Sequence, residues 1–198
     1  MDNSKESQIL AAAKQSFEML GYKGTTIDQI ARLANIGKGT VYTIFKTKEE
    51  IFNRIVDEEI KRIQEIEMKI FEEKKDSSVL HEVVYEIFYA RSNHPLVKKL
   101  NFEMKAHNTW EVVQALRKVE KHTQQQLESM ITQLIEKNQL QTYRVDLTAF
   151  LIGEIYKGLL TTWEEEHGPL TKEEIGMIFD NIILSGIGAK SRRLQEES

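Results

Sequence analysis

At 198 residues, with 27 Lys and Arg against 31 Asp and Glu, the chain carries a formal charge of −4, which excludes a uniformly basic nucleic-acid coat. Hydrophobic residues at 40% and charged residues at 29% exclude a disordered chain and permit one packed domain, or a small domain fused to a larger one. Cysteine is absent, so a disulfide framework, a thiolate metal site and a thiol nucleophile are excluded too, and a reducing, cytoplasmic setting is expected.

The chain begins Met1-Asp2-Asn3-Ser4-Lys5-Glu6 without an apolar run behind it, so no secretory signal is expected. Apolar residues at Ile9, Ala13, Phe17 and Leu20 keep helical spacing, and Gly21 reads as a left-handed stop. Thr26 with Gln29 three residues on forms a capping box that opens a short helix over 27–34. After Asn35-Ile36-Gly37 a third helix spans 38–44, and Thr47 with Glu50 opens a long fourth one reaching about residue 74. Beyond it, breaks fall only at 76–78, Asn93-His94-Pro95, Asn108-Thr109, 138–144 and His167-Gly168-Pro169. No glycine occurs between positions 40 and 152, and strands need turns more often than that. The expected fold is therefore all-α, with about nine helices. The most apolar stretch, 175–189, is interrupted by Asp180 and is shorter than the ~20 residues of a bilayer span, so no membrane partner is expected.

Two short helices separated by a three-residue turn and preceded by a longer one describe a helix-turn-helix, whose last helix enters a DNA major groove. Charge sorts in the same way. Residues 21–48 hold Lys23, Arg32, Lys38, Lys46 and Lys48 against Asp28 alone, a local +4, which leaves −8 for the remainder. Gly39 lets backbone come close to a DNA strand, while Lys38 and Thr40 on the same turn suit guanine acceptors, phosphate or a thymine methyl. Tyr42 and Thr43 lie one turn on, and Lys48 and Thr26 open helices beside the flanking phosphates. Ile44 either meets a thymine methyl or packs inward. The string Gly37-Lys38-Gly39-Thr40 is not a phosphate loop, because Arg32 and Gly39 stand where that motif needs Gly and Ser or Thr.

Ile9, Ala12, Ala13, Phe17, Gly21, Tyr22, Thr25, Thr26, Ile27, Ile30, Ala31, Ala34, Gly39, Tyr42, Phe45, Lys48, Glu49 and Ile51 stand in one ungapped pattern. In it the stretch from Ile9 to Phe52 resembles the TetR family of bacterial one-component transcriptional regulators. Two positions depart from the family: Gly37 stands where Ser or Thr usually caps the recognition helix, and Ile44 where many members carry Tyr or His. The resemblance implies a DNA-binding domain over 1–46 and a helical ligand-binding and dimerisation domain over 47–198. It further implies a homodimer on a palindromic double-stranded operator, paired through the last two long helices and released by a small hydrophobic effector. Gly153, Gly158, Gly186 and Gly188 on those helices offer close helix approach at a dimer face. For the effector pocket the candidates are Phe88, Tyr89, Phe102, His107, Trp110, Tyr156 and Trp163, an apolar set with a few polar groups. The same residues also fit plain core.

Enzyme chemistry has little foothold. No two of the five histidines, His81, His94, His107, His122 and His167, stand four apart, so no helical zinc pair exists, and neither a nucleophile elbow nor a dinucleotide fingerprint occurs. No cofactor and no metal is expected. Two other readings stay open: a DNA-binding activator or nucleoid factor without a ligand, and a helical protein-protein adaptor. A steep salt dependence of DNA binding separates the adaptor from the rest.

Overall fold

The structure is a computed structural model that describes residues 3–73, 79–137, 140, 142 and 144–184, and its regular elements are all helices. They are α1 (Asn3–Gly24), α2 (Ile27–Leu33), α3 (Lys38–Ile44), α4 (Lys48–Glu73), α5 (Val79–Asn93), α6 (Pro95–His107), α7 (Trp110–Glu136), α8 (145–167) and α9 (172–184). Helix α8 widens into a π-helical stretch over Gly158–Trp163, and α9 does so over Phe179–Leu184. Among the described residues this makes nine helices, as the punctuation predicts. The predicted break at 76–78, the last helix beyond residue 184, and Gly186 and Gly188 lie outside the described residues.

Local signals account for the boundaries. Thr26 and Gln29 form the reciprocal box that starts α2, and Thr171 with Glu174 forms another at the start of α9. At the start of α4 the Thr47 hydroxyl accepts the Glu50 N–H at 3.0 Å, but the Glu50 carboxylate turns to the Lys46 N–H instead, at 2.6 Å. Gly21 takes the left-handed φ of +78° that its sequence position suggests, yet it bends α1 rather than ending it, and helix resumes through Gly24.

The chain divides into two compact units, one drawn from Met1–Glu65 and Asn93–Glu120, the other from Ile66–Ser92 and Lys121–Ser198. The first is built on Ile9, Ala13, Phe17, Ile30, Val41, Ile51 and Phe52, joined by Leu96, Leu100 and Val112 from α6 and α7. A helix-turn-helix of this length has too little interior to bury Phe17, Tyr22 and Phe52 alone, so later helices complete its core. The second unit centres on Val83, Val84, Leu127, Ile131, Ile152, Tyr156, Ile175 and Phe179. Among the described residues no helix is long and apolar enough to cross a membrane.

A polar cluster ties the first unit together. Glu59 on α4 accepts from Lys14 on α1, pairs with Arg62 at 2.9 Å, and meets the His94 Nε2 that precedes α6 at 3.2 Å. Burial by itself pushes this carboxyl up, but hydrogen bonds from His94 and Lys14 and the charges of Lys14 and Arg62 prevail and hold it at about 2. A carboxyl depressed in this way contributes stability above its unfolded value, near 4.3, and that contribution fades as pH falls towards about 2. Glu59→Gln is therefore expected to cost at most about 3 kcal/mol at neutral pH and much less at pH 3. Urea unfolding at both pH values checks this; an equal cost at both would show that the charge contributes nothing.

Candidate nucleic-acid interface

Helices α2 and α3 are joined by a turn in which Asn35 adopts a φ of +53° and the Ile36 N–H returns to the Ala31 carbonyl at 3.0 Å. This turn fixes which face of α3 looks inward. Val41 is buried, Phe45 follows it into the core, and Ile44 packs partly buried against the same cluster. Ile44 thus packs in part against the core. The opposite face presents Lys38, Gly39, Tyr42 and Thr43 to solvent, with Tyr42 43% exposed.

Gly39 carries the most information. Its φ is not in the left-handed region, and a β-carbon built on it meets nothing within 4 Å. Neither backbone strain nor crowding inside the chain requires glycine there. Thr40 is half-buried, whereas Thr43 is exposed and its hydroxyl donates back to the Gly39 carbonyl at 2.9 Å.

The structure places the cationic and hydroxyl candidates differently from a free solvated array. The Lys38 ammonium is paired with the Asp28 carboxylate at 2.8 Å, and this hydrogen bond and charge raise its pKa. The Thr26 hydroxyl is engaged in its capping box, donating to Gln29 Oε1 at 3.0 Å and accepting the Gln29 N–H at 3.3 Å. Lys48 is only half-exposed. Its Nζ donates to the carbonyls of Tyr22 at 2.7 Å and Thr25 at 2.9 Å and lies 4.2 Å from the centre of the Tyr22 ring, and burial lowers its pKa. Asp28 was not among the sequence candidates, although it is the single acid in the basic window. Because it holds Lys38 and adds a negative charge beside α3, Asp28→Asn is expected to tighten binding to random-sequence DNA severalfold, as fluorescence anisotropy checks. Unchanged or weaker binding would mean that Lys38 does not face the DNA.

The effector candidates do not form one set. Phe88 and Tyr156 are buried together in the second unit, with ring centroids 5.7 Å apart. There the Tyr156 hydroxyl meets His81 Nδ1 at 2.5 Å, and Phe179 lies 5.7 Å from the Tyr156 ring. Burial lowers the His81 pKa and raises that of Tyr156. Tyr89 is exposed and stacked on Tyr85 at 5.4 Å, and Trp163 is exposed and stacked on His167 at 4.0 Å. Phe102, His107 and Trp110 belong to the first unit and are exposed, Phe102 by 65% and Trp110 by 68%. His81 and Phe179 were missed, though each lies in an apolar helical register.

The dimer candidates divide similarly. A β-carbon on Gly153 would stand 3.7 Å from Phe88 and 3.9 Å from Leu127, so its side-chain position points into its own unit's core. On Gly158 it would meet nothing within 4 Å, and Gly186 lies outside the described residues. The large apolar residues that α8 does present to solvent are Leu147, Phe150 and Leu151 in its first turns and Trp163 near its end.

The family model for bacterial regulatory proteins, tetR family, matches residues 9–55. The uncharacterized HTH-type transcriptional regulator YhgD of Bacillus subtilis (strain 168) is 35% identical over 193 residues, covering 96% of this chain and all of that protein. The HTH-type transcriptional regulator QacR of Staphylococcus aureus is 40% identical over 60 residues, covering 30% of this chain and 32% of QacR. Among solved structures, a chain described as a TetR-family transcriptional regulator from Mesorhizobium loti superimposes with a TM-score of 0.73 at 20% identity, over 93% of this chain and 97% of that one. The regulator FadR from Bacillus subtilis, in complex with stearoyl-CoA, does so with a TM-score of 0.69 at 20% identity, over 87% and 96%.

Proposed function

The chain belongs to the TetR family of bacterial transcriptional regulators, and from that premise we propose that it is a homodimeric repressor that reads a palindromic operator and releases it when a small hydrophobic effector binds. The DNA-reading part is the helix-turn-helix within residues 1–46, and 47–198 serve effector binding and dimerisation. One observation carries the reading. The exposed face of α3 gathers Lys38, Gly39, Tyr42 and Thr43, and its glycine is not demanded by anything within the chain. A partner that approaches the backbone closely supplies the missing reason, and a DNA strand against the recognition helix is such a partner.

Dimerisation through α8 and α9 is supported by Leu147, Phe150 and Leu151 on α8 and by Met177 on α9, each about half exposed or more. Apolar side chains clustered on one helix gain from being covered by a second copy. For the effector, the second unit offers an apolar surround with one polar focus, His81 and Tyr156, which suits an apolar molecule bearing a single polar group. The FadR structure holds stearoyl-CoA, whose long chain is of that general character. Release then follows as a population shift. An effector that favours one arrangement of the core helices moves α4, which runs unbroken from Lys48 to Glu73, and changes the separation of the two reading helices. That separation must match one DNA turn, about 34–36 Å, or a multiple of it.

Selection of bound duplexes from a random library tests the reading. Enrichment of an inverted repeat is expected; enrichment of no motif would remove operator binding while leaving the helical fold untouched.

A further inference from the structure

The bend near the end of α1 is gripped by a side chain 81 positions away. Among the described residues, Glu103 on α6 is the one formally charged side chain that is buried, at 4% exposure. Its Oε2 accepts the Tyr22 N–H at 2.6 Å, and its Oε1 accepts both the Lys23 N–H and the Thr109 hydroxyl at 2.9 Å. Gly21 makes this approach possible. It sits at φ +78°, and a β-carbon there would stand 2.4 Å from Glu103 Oε2.

The same peptide is held from other sides. The Tyr22 carbonyl accepts from Lys48 at the start of α4 at 2.7 Å. Thr25 returns its hydroxyl to the Gly21 carbonyl at 2.8 Å, and Thr26, the next residue, caps α2. The direction in which α2 and α3 leave the bend is therefore set by groups on α4, α6 and the α6–α7 link.

A buried carboxylate is a costly way to hold a helix in place, since apolar side chains of similar size often do so with equal or better stability. What it adds is directionality, because its acceptors are met by two successive N–H groups in one geometry only. We propose that Glu103 is a positioning residue for DNA reading: it fixes the presentation of α3 so that the protein accepts one separation of operator half-sites and rejects its neighbours. The proposal rests on the DNA-reading role given to α3.

The test uses full-length wild type, Glu103→Gln and Thr109→Val, each checked by circular dichroism. Fluorescence anisotropy gives their affinities for the selected inverted repeat and for versions with the spacer changed by one or two base pairs. Glutamine places an NH2 group where the carboxylate has an acceptor, so one of the two N–H groups loses its partner. The ratio of correct to altered spacing is expected to fall about tenfold in Glu103→Gln, equivalent to about 1.4 kcal/mol, with binding to random-sequence duplex unchanged. Thr109→Val should move the ratio in the same direction by less. A folded Glu103→Gln protein with the wild-type ratio would overturn the proposal. If that variant does not fold, Thr109→Val decides alone: a lowered ratio supports the positioning role and an unchanged one overturns it. A wild type that enriches no inverted repeat overturns the reading of α3 itself.

Discussion

Replacing Lys38 and Tyr42 together by alanine is expected to erase selection of the inverted repeat while leaving the helical spectrum and the oligomeric state of the protein intact. Both side chains lie on the exposed face of α3, and neither belongs to the core of the first unit, so the fold has little stake in them. Tyr42 offers an exposed ring and a hydroxyl to the sugar-phosphate. Loss of such a hydrogen bond to a charged phosphate group lowers affinity by roughly 10- to 100-fold, corresponding to about 1.5–3 kcal/mol, and removes one of the contacts that hold the reading helix in register. Lys38 acts differently, because it is paired with Asp28 in the free protein and must exchange that carboxylate for a DNA acceptor. Its removal should make the slope of log K against log salt shallower by about 0.9 per half-site. The two effects separate in a salt titration of the single variants. A double variant that still enriched the motif with an unchanged slope would place the interface elsewhere on the molecule.

The second large effect is on stability. Phe52 is fully buried and completes an aromatic triad with Phe17 and Tyr22, at centroid distances of 5.2 and 4.8 Å. Phe52→Ala removes the ring from a cavity bounded by two other rings, and such truncations cost about 3–5 kcal/mol. Against a total of about 5–15 kcal/mol for a folded domain, that is a large share. A urea titration should show a clearly lowered midpoint. Phe102→Ala supplies the control: at 65% exposure it is expected to shift stability by no more than about 0.5 kcal/mol. Similar losses for the two phenylalanines would mean that the first unit does not depend on the triad.

Those two residues also show what spacing along a chain can and cannot tell. Phe52 keeps helical spacing with Val56, Ile60 and Ile63, whereas Phe102, with Lys98, Lys99 and Lys105 three or four positions away, was a pocket candidate on its aromatic ring alone and fitted plain core as well. On α6 the buried residues are Leu96, Leu100 and Glu103, so the stripe that faces the core contains the acid and leaves Phe102 outside. An acidic residue in step with two leucines was the one available signal for Glu103. It was faint among 31 acids, and its partners are backbone N–H groups, which every residue but proline possesses. Lys48 was obscured for the same reason: its partners are two carbonyls, so its sequence neighbours did not distinguish a clamp from a solvated cation. Gly153 faces Phe88 and Leu127 because of how α8 is rotated, and a glycine in a helix has no side chain to declare a face.

The sequence by itself determined the all-helical fold, the boundaries of α2 and α3 and the family. These depend on interactions within a few residues: a capping box, a left-handed turn, an apolar repeat of three and four. Only the tertiary structure decided which charges are free and which are engaged, which aromatics are core, and that α6 and α7 complete the unit that carries the helix-turn-helix. Those outcomes depend on contacts between residues tens of positions apart, where the partner is set by the packing of whole helices and not by the identity of the residue that makes the contact.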